Sequence, residues 1–118
     1  MTEIPDPSST PVVRKKDAIL DEAVRRLVEV HKPGRIYLFG SRARGSARAD
    51  SDYDLLVVVH LRVGTGREME QQANAALWGL GVPIDVVILT SDYFTWMLGA
   101  AASLPATVER EGRLLYAA

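Results

Sequence analysis

The spacing of apolar residues changes along the chain, and each change marks an element. Over residues 14–31, Ile19, Leu20, Ala23, Val24, Leu27, Val28 and Val30 recur three and four apart, the repeat that lines one face of a helix. Pro33-Gly34 ends that pattern. Residues 35–39, Arg-Ile-Tyr-Leu-Phe, are a short β-prone run stopped by Gly40, and 53–60 are a longer valine-rich run. Both predict strands, the second buried on both faces because its apolar character hardly alternates. Helical spacing returns over 67–80 through Met69, Ala73, Ala76, Leu77 and Leu80, with Gly81 as the stop, and residues 84–89 predict a third strand. Ser91 can cap a helix over 92–99 and Ser103 another over 104–111, with Gly112 ending the latter before the short run Leu114-Leu115-Tyr116. Helical and strand segments in this order indicate an α/β or α+β sheet covered by helices.

With 118 residues, no internal repeat and no linker, the chain has room for one core, so a single domain over 14–118 is expected. Ahead of it, Pro5, Pro7 and Pro11 stand among Ser8, Ser9 and Thr10, a composition with too little apolar surface to offset the entropy of ordering. Residues 1–13 are therefore expected to be a disordered leader. The 14 basic and 15 acidic residues leave a formal charge of -1, which gives no global footprint for nucleic acid and leaves open only a local basic patch. No apolar run approaches the length of a bilayer span, and the amino-terminal residues lack the pattern of a signal peptide. Together with the absence of cysteine, this leads us to expect a cytoplasmic protein. The missing cysteines also exclude thiolate nucleophiles, disulfides and Cys-type zinc sites.

Chemistry concentrates in residues 40–58. Gly40-Ser41 stands where a strand ends and a short helix can begin, so backbone amides and the Ser41 hydroxyl can face an anion; the same pair also suits a plain tight turn with a capping serine. Asp52 and Asp54 are two apart at the start of a strand, and the two-residue period sends both carboxylates to one face. At about 4 Å and an effective dielectric of roughly 20, such charges repel by about 4 kcal/mol, which calls for a cation unless the pair is simply solvated at a loop boundary. Magnesium is the expected occupant, since it takes hard oxygen ligands from one or two carboxylates together with substrate phosphates. Asp85 opens an otherwise apolar strand, where an unpaired carboxylate is costly unless it is exposed. If that strand lies beside the Asp52 strand, the three carboxylates form a cluster able to hold two metals.

The pattern Gly40-Ser41, ten residues, Asp52-Tyr53-Asp54, then Asp85 on a later strand resembles the minimal nucleotidyltransferases of the DNA polymerase beta superfamily. The resemblance runs from about Asp17 to Tyr116 and includes 36–45, Ile-Tyr-Leu-Phe-Gly-Ser-Arg-Ala-Arg-Gly, 51–57, Ser-Asp-Tyr-Asp-Leu-Leu-Val, and the ending Arg110 to Tyr116. It implies a nucleotidyltransferase fold, a mixed β-sheet flanked by helices. It further implies that the Gly40 backbone and Ser41 hold the triphosphate, with Arg44 matching the family's Gly-Ser-x-x-Arg-Gly pattern. Asp52, Asp54 and Asp85 would hold two magnesium ions, Asp85 serving the metal that activates the attacking hydroxyl. The implied reaction is transfer of AMP from ATP to a hydroxyl. Small members of this family are commonly paired with a helical HEPN-type toxin and some adenylylate a tyrosine on it, so an antitoxin role is implied. A small-molecule or RNA acceptor, and a non-catalytic module that binds its partner, are the alternatives.

Other candidates have plainer roles. Arg42 and Arg48 are read as surface cations or partners of Asp50. His31 and His60 have no third ligand at metal spacing and are read as structural. Trp78 and Trp96 fall in helical segments and are read as core or interface anchors. Gly64-Thr65-Gly66 lacks the continuation of a dinucleotide fingerprint and is read as a flexible loop.

Overall fold

The apolar stripe of the first helix decides what the sheet can pack against. α1 (Ser9–His31) buries Leu20, Ala23 and Leu27 along one side, while Arg25 on its solvent side pairs with Glu22 and Glu29. Lys32, lying before Pro33, is kept out of the helical region. It takes a left-handed conformation, φ 47°, and its N–H closes the last turn onto the Val28 carbonyl at 2.9 Å. The structure, a computed structural model, describes residues 9–45 and 52–118.

Four strands, β1 (Arg35–Phe39), β2 (Tyr53–Val59), β3 (Ile84–Thr90) and β4 (Arg113–Ala117), form one sheet in the order β3-β2-β1-β4. β1 is antiparallel to both β2 and β4, whereas β2 and β3 are parallel and are joined through α3 (Gly66–Ala76). A parallel pair cannot be closed by a tight turn, so a long connection is required there. Leu55 to Val59 of β2 are each at most 3% exposed, as the unbroken apolar run predicts. Leu55, Val57 and Val59 join Leu27, Met69 and Ala73 in a core under α1 and α3. On the other face Leu56 and Val58 join Phe94 of α4 (Ser91–Met97) and Val108 of α5 (Leu104–Glu111). The result is the mixed sheet flanked by helices that the sequence leads one to expect.

Several boundaries differ from the sequence reading. α1 begins at Ser9, so residues 9–13 of the expected leader are helical backbone, and residues 1–8 lie outside the described residues. Pro11 is tolerated because it falls in the first turn, where backbone N–H groups have no intrahelical partner. α3 ends at Ala76, four residues before the expected Leu80; Gly79 takes φ 89°, and the chain proceeds in turns. The start of α3 is fixed by a capping box that the loop reading of 64–66 overlooked: Thr65 Oγ1 accepts from Glu68 N at 3.0 Å, and Glu68 accepts from Thr65 N at 2.8 Å. α4 starts one residue early because Thr90, not Ser91, is the cap, accepting from Tyr93 N at 3.2 Å. Trp78 and Trp96 are 85% and 75% exposed, which overturns a core role for either. The first lies in the turn after α3, and the second on the side of α4 opposite Phe94. Histidine 31 is structural, its Nε2 lying 2.8 Å from the Met69 carbonyl oxygen.

The end of α3 is held from outside. Arg26 of α1 donates through Nη1 to the carbonyls of Ala76 and Trp78, at 3.2 and 3.0 Å, while its Nε donates to Glu22 at 2.8 Å. Carbonyls left without partners at a helix terminus are thus satisfied by a cation. Replacing Arg26 with Met, which keeps the apolar stem, is expected to lower stability by about 1–2 kcal/mol. Urea unfolding would report this as a lower midpoint with an unchanged m-value.

Candidate active site

Where β1 ends, its last residue Phe39 pairs with Asp54 of β2. The chain then turns through Gly40, at φ 76° and ψ -156°, into the four-residue helix α2 (Ser41–Arg44). A side chain at Gly40 is excluded twice: its backbone is left-handed, and a Cβ there would run into the Asp54 carboxylate. The carboxylate therefore lies directly against the turn that leads to Ser41. Gly45, also left-handed, closes α2 by donating its N–H to the Ser41 carbonyl, and Arg44 N donates to the Gly40 carbonyl at 3.1 Å.

The parallel pairing of β2 with β3 sets Asp54 opposite Asp85, so the two carboxylates project side by side from the same face. Asp52 is exposed at the entrance to β2, two residues before Asp54. The electrostatics report the same convergence. Burial pushes the Asp54 carboxyl above its ordinary value, the charges of Asp85 and Asp52 push it further, and Arg44 opposes them. Among the described residues, no three His, Asp or Glu side chains close around a common point tightly enough to ligate an ion by themselves. The donor set still suits magnesium. That ion needs only one or two carboxylates when substrate phosphates and water complete its shell, and here two hard-oxygen ligands stand adjacent, with repulsion at Asp54 that a cation would relieve.

The arginines divide. Arg44 approaches Glu111, at the end of α5, to 4.0 Å while acting on Asp54 from the other side. Arg42 lies with its guanidinium 3.9 Å from the centre of the Tyr53 ring. Stacking on a ring was not foreseen for Arg42, and the expected partner Asp50, like Arg48, lies outside the described residues. Sequence reasoning also missed Glu111 as a neighbour of Arg44; only the three-dimensional return of α5 brings it there, and no local pattern marks it.

Because the folded state raises the Asp54 pKa, this group's contribution to stability is fully present below its ordinary value of 3.8 and is lost as pH rises through the elevated one. Asp54→Asn should therefore raise the melting temperature of the chain in EDTA at pH 7, by about 2–5 °C, and flatten its dependence on pH above 4. Calorimetry across pH 3–8 would check both. A melting temperature lowered by the substitution would contradict the crowding described here.

The family model described as "Nucleotidyltransferase domain" matches residues 19–115. Among solved structures, a protein from Sulfolobus solfataricus described as a nucleotidyltransferase aligns over 99% of this chain and 92% of its own, with a TM-score of 0.62 and 18% identity. A toxin–antitoxin with AMP-PNP aligns over 81% of this chain and 72% of its own, with a TM-score of 0.52 and 24% identity. A mutant of the toxin–antitoxin MntA–HpeT aligns over 83% and 72%, with a TM-score of 0.51 and 23% identity. At these identities the likeness speaks to the fold. No curated protein matches the chain. Among the described residues, no helix is long and apolar enough to cross a membrane. The family match spans all of the strands but the end of β4, together with the turn at Gly40 and both carboxylate strands, and the chain belongs to the nucleotidyltransferase domain family.

Proposed function

We propose that the chain transfers AMP from ATP to a hydroxyl group, the acceptor being a tyrosine of a helical HEPN-type toxin, and that it acts as the antitoxin of that pair. The observation that carries the reading is the side-by-side placement of Asp54 and Asp85, with Asp54 against the turn at Gly40. Two of the structures with the same fold are toxin–antitoxin assemblies, and one of them holds an ATP analogue, which supports both the donor and a protein acceptor.

In this reading the Gly40 backbone and the Ser41 hydroxyl grip the triphosphate, and Arg44 neutralises part of its charge. Asp52, Asp54 and Asp85 would hold magnesium, Asp85, one strand over, serving the ion that activates the attacking hydroxyl. Bound magnesium would supply a lowered pKa for the attacking hydroxyl and charge compensation for the leaving pyrophosphate. The acceptor oxygen forms a bond to the α-phosphorus while the bond from that phosphorus to the bridging oxygen breaks. The hydroxyl proton passes to Asp85 or to solvent. The rest of the chain's contribution is placement: two carboxylates on adjacent strands, and a phosphate turn whose Gly40 lies against one of them.

The test is incubation of the chain with labelled ATP, magnesium and a helical HEPN-type protein, taken from beside its gene where one is encoded there, followed by mass analysis of that protein. An added AMP on a tyrosine is expected, with Asp54→Asn reducing its formation about a thousandfold while leaving partner affinity largely intact. Label that reaches an RNA or a small molecule and never the protein would overturn the acceptor. Full neutralisation of the toxin by the Asp52→Asn, Asp54→Asn double variant would overturn the need for catalysis.

A further inference from the structure

The phosphate-gripping turn stands on a helix that cannot hold itself. α2 has four residues, no side-chain cap at Gly40 and no buried residue. A single turn of helix in water is unstable, because fixing the first turn costs more than its one or two hydrogen bonds return. Something in the tertiary structure has to fix it. Among the described residues its contacts include Ala43 at the margin of the core under α1 and α3, the exposed Arg44 at 4.0 Å from Glu111, and the Arg42 guanidinium 3.9 Å from the centre of the Tyr53 ring, the last of these reaching a fully buried side chain.

Tyr53 is well suited as an anchor. It is 2% exposed, belongs to the main core, and donates its backbone N–H to the Pro83 carbonyl at 3.0 Å, which ties it to the approach to β3. It is also the residue between Asp52 and Asp54, and since Phe39 pairs with Asp54, it stands opposite Gly40 where the ladder of β1 and β2 ends. Neighbouring residues on a strand point to opposite faces. Asp54 therefore presents its carboxylate to one side of the sheet while Tyr53 presents its ring to the other, and Arg42 reaches that ring from the helix carrying Ser41. A planar cation on an aromatic face is a directional contact, stronger when water is excluded from one side, as it is over a buried tyrosine.

We propose that Arg42 and Tyr53 are positioning residues: their stack fixes α2, and with it Gly40 and Ser41, at a set distance from the carboxylates of β2. The proposal rests on the reading of Gly40-Ser41 as the triphosphate grip, and it assigns Arg42 to the tyrosine ring, where a phosphate contact would otherwise be the obvious role for an arginine in that turn. Arg44 remains the arginine directed at the carboxylate side.

The experiment has two arms. Amide hydrogen exchange of the intact chain without nucleotide reads the grip on α2 directly, through the N–H groups of Arg44 and Gly45 that close it. Arg42→Met should speed their exchange about tenfold, a loss of the order given by one partly desolvated cation–π contact, and Tyr53→Phe, which keeps the ring, should leave it unchanged. The second arm is titration calorimetry with magnesium and a non-hydrolysable ATP analogue on Arg42→Met, Tyr53→Leu and the double variant. Each single change should weaken binding about tenfold, and the double should be no worse than the weaker single, since both remove one contact. Unaltered exchange in Arg42→Met overturns the proposal, even if the chain turns out to bind no nucleotide and the functional reading fails separately. Additive losses, or a loss for Arg42→Met with none for a folded Tyr53→Leu, would mean that Arg42 acts on the phosphates directly and would also overturn it. If Tyr53→Leu does not fold, the exchange arm with Arg42→Met and Tyr53→Phe decides alone.

Discussion

Placing Asp54 beside Asp85 is the constraint to which the rest of the structure answers. Two carboxylates on adjacent parallel strands, about 5 Å apart, repel by roughly 3 kcal/mol at an effective dielectric near 20. Among the described residues no charged side chain is buried, and the cation acting on Asp54 is the exposed Arg44, which opposes the repulsion without cancelling the rise in the Asp54 pKa. The pairing survives because the five positions of β2 after Asp54 and most of those of β3 after Asp85 are apolar and lock the strands in one register, from Tyr53 with Ile84 to Val59 with Thr90. Slipping by one residue would separate the carboxylates, but it would also turn every side chain of β2 to the wrong core. Register and function are therefore enforced by the same apolar residues.

The sheet and its helices were legible because their signals are local. The three- and four-residue repeat of Leu20, Ala23 and Leu27, the unbroken run of Leu55 to Val59, and Ser103 capping α5 each state their element within a few residues. Boundaries were less legible where the deciding contact comes from elsewhere. Arg26 reaching over from α1 and the left-handed Gly79 settle where α3 stops, and neither is visible in the repeat of Met69, Ala73 and Leu77. The two tryptophans show the same limit: helical placement suggested a core or interface role, and only the fold shows that the buried side of α4 belongs to Phe94 and that Trp78 is exposed in the turn after α3, which removes the core half of that reading.

At the site, residue types and spacing singled out Gly40, Ser41, Asp52, Asp54 and Asp85, and the fold draws these into one neighbourhood, with Asp52 at its open margin. Spacing could not say how the turn is held. Gly40 against Asp54, Arg42 on Tyr53 and Arg44 near Glu111 are contacts between segments, each dependent on the sheet having formed. Arg42 is the instructive case, since nothing in its sequence neighbourhood marks the ring of Tyr53 as a contact.

The parallel pairing carries a kinetic consequence. Asp54 and Asp85 are 31 positions apart in sequence, with the whole of α3 between them, so their meeting is a non-local event that must wait for loop closure and helix docking. An incompletely folded chain, such as one still emerging from the ribosome, cannot bring Asp85 beside Asp54. In the proposed function, affinity for metal and nucleotide is coupled to this non-local step of folding, and ligand binding would in turn draw the equilibrium toward the closed sheet.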